Sequence, residues 1–291
     1  MNLYDLNDQQ REAVEHTEGP LLIIAGAGSG KTRAMTYRIA HLMMNKGVSP
    51  YNILALTFTN KAAKEMLNRV MGLTEGKANE IWIGTFHAIC VRILRRDIEK
   101  LGYQRSFTIY DDDDQQRVLK DLFKSFQIDE KQLSLREMRG IIGDAKNKLM
   151  YADDWFAQSR KDRRAQTIHD LFAAYDQRLK ASNALDFDDL LNKTLELLMD
   201  HPPVLAYYKK RFHYVHVDEY QDTNLAQYNL VKLLTEHSRN LCVVGDDDQS
   251  IYGWRGADIR NILEFKQDFP EAKIVKLEQN YRSTKTILDA A

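Results

Sequence analysis

The chain has 291 residues, 44% apolar and 29% charged, which suits one large or two ordinary domains of a soluble globular protein. Its 41 Lys and Arg against 42 Asp and Glu leave a net charge of −1, which argues against a protein that holds nucleic acid mainly by neutralising phosphates. No apolar run is long enough to span a membrane, MNLYDLNDQQ lacks a signal pattern, and Cys90 and Cys242 are too few for a disulfide framework, so a reduced cytoplasmic setting without a membrane partner is expected.

In chain order, the first strand-like apolar run is 21–25, and AGAGSGKT follows directly at 25–32. Strand, glycine-rich loop and helix in that order predict a phosphate cradle. Gly26, Gly28 and Gly30, interleaved with Ala25, Ala27 and Ser29, let backbone N–H groups curl around phosphate oxygens. The helix opening at Lys31 adds the positive end of its dipole. Lys31 would reach the β/γ-phosphates and the Thr32 hydroxyl would ligate Mg²⁺, so ATP and Mg²⁺ are the expected ligands. The strict phosphate-loop pattern has Gly where this chain has Ala25. A helix is expected over 32–44, then strands over 53–58 and 81–83.

Between 88 and 211 strand signals nearly vanish and apolar residues recur at helical spacing. Examples are Val118, Leu119, Leu122, Phe123 and Phe126, then Ile168, Leu171, Phe172, Tyr175 and Leu179. Asp111–Asp114 reads as a helix cap with first-turn acids, and Ser134 with Glu137 as a capping box. The basic run Arg160, Lys161, Arg163, Arg164 reads as a solvated face.

Strand character returns at 214–218, and the segment YVHVDEYQD ends it with two carboxylates. Asp218 is placed to hold the Mg²⁺ shell and Glu219 to orient and deprotonate an attacking water; His216 reads as a strand side chain. A helix over 225–234 and a strand over 241–245 follow. The next segment, GDDDQSIYGWRGA at 245–257, offers polar groups at a strand end, Gln249 among them. Tyr252, Trp254 and Arg255 then form a stacking platform a few residues on. Stacking of this kind grips single strands without needing a large net charge. The last strand is expected at 274–277. Strands alternating with helices indicate a mostly parallel sheet covered on both faces, with ligands at the strands' C-terminal ends.

These segments together resemble the motifs of the superfamily 1 DNA helicases of the UvrD/Rep/PcrA type, in that family's order and along nearly the whole chain. AGAGSGKT, with Ala25, is the form that family uses. LNDQQREAV at 6–14 resembles its adenine-reading motif, in which Gln10 would hydrogen-bond the base edge. TFTNKAA at 57–63 and TFH at 85–87 resemble its DNA-contact motifs, implicating Thr57, Phe58, Asn60, Thr85 and His87. QNYRST at 279–284 resembles the entry to a second motor domain, where Tyr281 would stack on adenine and Arg282 contact the γ-phosphate.

The resemblance implies a RecA-like P-loop α/β domain carrying an inserted all-helical subdomain. The expected division is a motor domain over 1–87 and 212–278, the insertion over 88–211, and the start of a truncated second motor domain over 279–291. It implies ATP-driven movement on single-stranded DNA, 3′-to-5′, and unwinding of partly duplex DNA, with repair or replication proteins as partners. Lys31, Glu219, Gln249 and Arg282 would be catalytic. Phe58, Tyr252 and Trp254 would form base pockets, helped by Arg255 and His87. The abrupt end after QNYRSTKTILDAA suggests a fragment, inactive alone in unwinding. Two other classes stay open: a P-loop ATPase not coupled to strand separation, and a partner-docking module with a vestigial nucleotide site.

Overall fold

The computed structural model describes residues 2–26, 28–246 and 265–281. They divide into two compact units, Met1–Ile89 with Leu205–Ala291, and Cys90–Val204.

The first unit opens with helix α1 (Asp8–Glu15), then β1 (Leu21–Ala25), α2 (Lys31–Met44), β2 (Ile53–Thr57), α3 (Asn60–Leu73) and β3 (Trp82–Thr85). Helix α4 (Phe86–Asp97) leads into the second unit. That unit contains β4 (Thr108–Ile109), α5 (Asp112–Ser125), α6 (Leu135–Asn147), α7 (Ala152–Gln158), α8 (Arg163–Ala181), β5 (Ala184–Leu185) and α9 (Phe187–Asp200). The chain returns through α10 (Pro202–Arg211) to β6 (Tyr214–Val217), α11 (Leu225–Thr235), β7 (Leu241–Gly245), α12 (Phe265–Asp268) and β8 (Lys273–Leu277).

The six strands of the first unit run in the order β3-β2-β6-β7-β1-β8, every neighbouring pair parallel. The central strands read as continuous apolar runs, LLIIA, ILALT and LCVVG, because both sheet faces are covered. Ala34, Met35, Ile39 and Leu42 of α2 and Met66 and Val70 of α3 pack in one cluster with Leu21, Ile23, Ile53, Ala55, Cys242 and Val244 of the sheet. From β1 the chain moves to β2, three places away, and the gap is later filled by β6 and β7. That order sets the loop after β1 beside the strand ends that carry acids, although they are far apart in sequence. Parallel strands align their C-terminal ends on one edge, the edge where such sheets bind ligands.

One polar clasp lies inside this unit. Arg38 of α2 is 1% exposed, and its guanidinium donates to Ala13 O (3.0 Å), Thr17 O (3.1 Å) and His16 O. These carbonyls lie at the C-terminal end of α1, where no helical partner remains for them and a cation is favoured.

In the second unit, Leu119, Leu122 and Phe123 of α5 meet Ile168, Leu171, Phe172 and Tyr175 of α8 in a separate core. The expectation of an all-helical insertion is amended at one point. Thr108–Ile109 and Ala184–Leu185 form a two-stranded parallel pair, too short to leave an alternating pattern. Asp111 does cap α5, accepting from the N–H groups of Asp113 and Asp114 with Asp114 returning the bond. Ser134 caps α6 through Glu137 N, but the reciprocal half of the box is not made; Glu137 pairs with Arg164 instead. At the centre of this unit Lys146 is fully buried, with Asp186 and Asp189 each at 2.8 Å and Asp176 at 3.1 Å.

Candidate functional site

The loop after β1 turns on glycines. Gly28 and Gly30 have φ of +75° and +88°, and Gly30 is the N-terminal cap of α2. Left-handed backbone favours glycine at both positions. At Gly30 a side chain is excluded twice over, because a Cβ there would lie 2.5 Å from Gln10 Nε2. Gly26 O accepts both Ser29 N (3.2 Å) and Ser29 Oγ (2.7 Å), which closes the turn. Ala25 is the buried last residue of β1, and Lys31 and Thr32 open α2. Ala27 lies outside the described residues.

Three strand ends converge on Lys31. Its ammonium lies 3.2 Å from Glu219 Oε2, after β6, and 3.9 Å from Asp246 Oδ2, after β7. Gln221 Nε2 donates to the same Glu219 oxygen at 2.9 Å, while Gln221 Oε1 accepts Asp246 N at 3.1 Å. Asp218 is buried, and desolvation together with the neighbouring Glu219 charge pushes its carboxyl up to about 7, against the Glu219 N–H bond and Lys31. Such an acid gains from a cation brought to it. Glu219 has φ 51° and ψ 48°, left-handed for a non-glycine, a strain of the kind kept at functional positions.

A second layer surrounds the loop. Asn7 caps α1 in a reciprocal box with Gln10: Gln10 N donates to Asn7 Oδ1 at 2.7 Å and Asn7 N to Gln10 Oε1 at 3.3 Å. Gln10 Nε2 donates to Ser29 O at 3.1 Å, so this 1%-exposed amide joins α1 to the loop. Tyr281 donates its N–H to Gly28 O at 2.8 Å and receives Asn7 Nδ2 on its hydroxyl at 2.8 Å. Its ring stays 55% exposed, beside the loop.

At the other end of the same sheet edge, Thr57 of β2 and Thr85 of β3 are register partners. Thr57 is buried and its hydroxyl donates to Thr59 O at 3.2 Å; Thr85 Oγ accepts Ala88 N at 3.2 Å. The Thr57 hydroxyl thus fixes the turn that leads into α3, and the Thr85 hydroxyl holds the first turn of α4. Phe58 is half-buried with its ring 5.6 Å from that of Phe86, Asn60 is exposed at the start of α3, and His87 is half-buried in α4. The structure brings together Gln10, Gly26, Gly28, Ser29, Gly30, Lys31, Asp218, Glu219 and Tyr281 around one loop. It sets Thr57, Phe58 and Asn60 three strands away from β1 and Thr85 and His87 four, about 14 and 19 Å at ordinary strand spacing. Gln249, Tyr252, Trp254, Arg255 and Arg282 lie outside the described residues. Sequence reasoning gave no role to Asn7, Gln221 or Arg38. The Asn-x-x-Gln pattern was a readable cap signal; a buried bridging amide leaves no such trace.

Among the described residues no cluster of three or more His, Cys, Asp or Glu forms a metal cage, and no helix is long and apolar enough to cross a membrane. A Mg²⁺ held by one hydroxyl, one carboxylate, waters and phosphates does not need such a cage.

A parallel sheet with a glycine loop after its first strand and acids after the next two strands along, β7 and β6, defines a RecA-like α/β domain of the P-loop class. The profile of the UvrD/REP helicase N-terminal domain matches residues 6–270. The chain belongs to that family. It is 56% identical over 287 residues to a protein of Staphylococcus epidermidis named ATP-dependent DNA helicase PcrA, covering 99% of this chain and 39% of that one. A Staphylococcus aureus protein of the same name is 56% identical over 289 residues, 99% of this chain and 40% of its own length. The chain thus spans about two fifths of the length of these curated relatives.

Proposed function

We propose that this chain carries the nucleotide-binding part of an ATP-dependent DNA helicase, coupling ATP hydrolysis to movement on single-stranded DNA. The observation that supports it most is the meeting of Lys31, Glu219 and Asp246, from three strand ends, at the mouth of a glycine loop. The relatives' names add ATP and DNA to that geometry.

Lys31 in this reading exchanges Glu219 and Asp246 for phosphate oxygens. The loop N–H groups and the start of α2 hold the remaining oxygens. Asp218 and Thr32 would hold Mg²⁺, which when bound neutralises charge developing on the phosphates. The raised Asp218 carboxyl suits this, since a nearby cation returns it to its charged form. Glu219, released from Lys31, orients and deprotonates the attacking water. Tyr281 offers its exposed ring to the base. Gln10 reads the base edge with the amide hydrogen and lone pair that its bonds to Ser29 and Asn7 leave over.

Phe58, Asn60, Thr85 and His87 face DNA from the far end of the edge, with Thr57 shaping the turn that carries Phe58 and Asn60. Gln249, Tyr252, Trp254 and Arg255 would link the two ends, and Arg282 would complete the phosphate contacts. In this reading residues 1–87 and 212–278 are a motor domain, 88–211 its insertion, and a second motor domain begins near Gln279. Movement 3′-to-5′, service in repair or replication, partner proteins of those processes and a cytoplasmic location rest on the family resemblance.

The test is DNA-stimulated ATP hydrolysis and strand separation by the whole protein. Lys31→Ala should abolish both, and Glu219→Gln should cut hydrolysis to a small but measurable residual rate, each leaving the protein folded. Hydrolysis near the unmutated rate in either variant refutes the site.

A further inference from the structure

We infer that Gln221 is the positioning residue that fixes the Glu219 carboxylate and ties it to the main chain at Asp246. The inference rests on the proposed nucleotide site and assigns it a further member.

Gln221 is 1% exposed and both ends of its amide are engaged. Nε2 donates to Glu219 Oε2 at 2.9 Å and Oε1 accepts Asp246 N at 3.1 Å. A carboxamide is the one common neutral group of this length that donates at one end and accepts at the other. Glu and Lys each supply only one half at neutral pH, and Leu or Met neither.

Glu219 needs such a partner. Its side chain is 38% exposed, so burial alone does not hold its carboxylate in place. Its left-handed backbone turns the side chain out of the line of β6, and the short turn Tyr220–Asp222 returns Asp222 N to Glu219 O at 2.9 Å. Tyr220 anchors that turn, buried with its ring 5.8 Å from that of Phe265. Among the described residues the carboxylate has two side-chain partners, Lys31 and Gln221. Lys31 is the one that leaves for phosphate in the proposed reaction. Gln221 is then the protein donor that remains on Oε2, and it sets which oxygen faces the water.

The other end of the amide makes the link directional. Asp246 is the first residue beyond β7, and its carboxylate is also within 3.9 Å of Lys31. Lys31, Glu219, Gln221 and Asp246 therefore form a closed ring of contacts across three strand ends. A shift of the Asp246 main chain pulls on Gln221 and, through it, on the general base.

The test reads geometry and rate separately. In the 291-residue chain, hydrogen exchange at the Asp246 amide should be slow in the unmutated protein and in Gln221→Glu, which keeps the acceptor, and fast in Gln221→Leu. In the whole protein, both variants should lower kcat for DNA-stimulated ATP hydrolysis by about 10–100-fold, the scale of a misplaced reacting group. KM for ATP should stay within about twofold, since ground-state binding is untouched. In a Glu219→Gln background, Gln221→Leu should cost no further rate, because the carboxylate it positions is gone.

Three results overturn the inference: an unchanged kcat in Gln221→Leu, a loss of equal size in the Glu219→Gln background, or equal exchange protection in Gln221→Leu. Absence of hydrolysis by the unmutated whole protein overturns the functional reading itself, and is told apart because no variant enters that measurement.

Discussion

Asn7 and Tyr281 meet through a 2.8 Å hydrogen bond from the Asn7 amide to the tyrosine hydroxyl, joining residues 274 positions apart in sequence. The same Asn7 caps the N-terminus of α1, so one side chain both starts a helix and holds the ring proposed to stack on the base. The two tasks separate by substitution. Asn7→Ala should lose about 1 kcal/mol of stability, the usual worth of such a cap. Asn7→Ser keeps a capping oxygen but is too short to reach Tyr281. It should melt close to the unmutated protein and bind ATP more weakly, as thermal denaturation and calorimetry would show. Equal nucleotide affinity in Asn7→Ser would remove Tyr281 from the base site.

Two of the three loop glycines, Gly30 and Gly26, should respond differently to a methyl group. At Gly30 a Cβ meets Gln10 Nε2 at 2.5 Å, and φ is +88°. Gly30→Ala should therefore cost roughly 1–2 kcal/mol for the left-handed backbone alone, with Gln10 displaced in addition. At Gly26 the nearest atom is Asp246 Oδ2 at 4.0 Å, an ordinary contact. Gly26→Ala should leave the denaturant midpoint almost unmoved. Equal destabilisation by both variants would contradict this geometry.

Lys146 pairs with three carboxylates in the core of the second unit, with Tyr175 Oη donating to Asp186 at 3.1 Å. The crowding of acids shows in Asp189, whose carboxyl burial and the Asp186 charge push up to about 7. Lys146→Met leaves those acids without their counter-charge and should cost about 3–5 kcal/mol, the scale for breaking a buried pair. Adding Asp189→Asn should recover part of the loss. A Lys146→Met protein with an unchanged urea midpoint would show that the cluster is not held by charge.

His169 couples α7 to α8. Its Nε2 lies 2.7 Å from Asp153 Oδ1 and its Nδ1 3.0 Å from Asp170 Oδ1, and these hydrogen bonds raise its pKa above 6.5. The folded state therefore favours the imidazolium. The stabilisation is fully present below 6.5 and is lost as pH rises through the folded-state value. An NMR titration should place that value above 6.5, and Asp153→Asn should lower it. A His169 titrating at or below 6.5 would mean that neither carboxylate holds the ring.

The sheet was legible because its strands are apolar runs bounded by turn residues. Leu21–Ala25 and Leu241–Gly245 appear with the expected ends, and the others shift by a residue or two. The glycine loop before α2 and the two acids after β6 were legible as contiguous patterns, and they lie where those patterns put them, at strand ends. What stayed hidden was pairing across the chain. Gln221 donates to a neighbour but accepts from a residue 25 positions away, and no local pattern marks that. The pair β4–β5 was missed for the same reason, being two residues long on each side and joined across some 75 residues of helices. Nor does a motif tell whether a residue's polar atoms are already engaged, as Gln10 and Thr57 show.

The Arg38 clasp makes the first seventeen residues something other than a leader to the sheet. A guanidinium cannot shed its charge, and this one looks to the carbonyls of Ala13, His16 and Thr17 for what water would otherwise give it. A chain trimmed to begin near Leu21, where the first strand starts, would keep every strand and yet leave Arg38 without the three carbonyls that hold it. The boundary of the folding unit is therefore set by a polar debt that runs from α2 back to the N-terminal segment, and the sheet is complete only when α1 has docked.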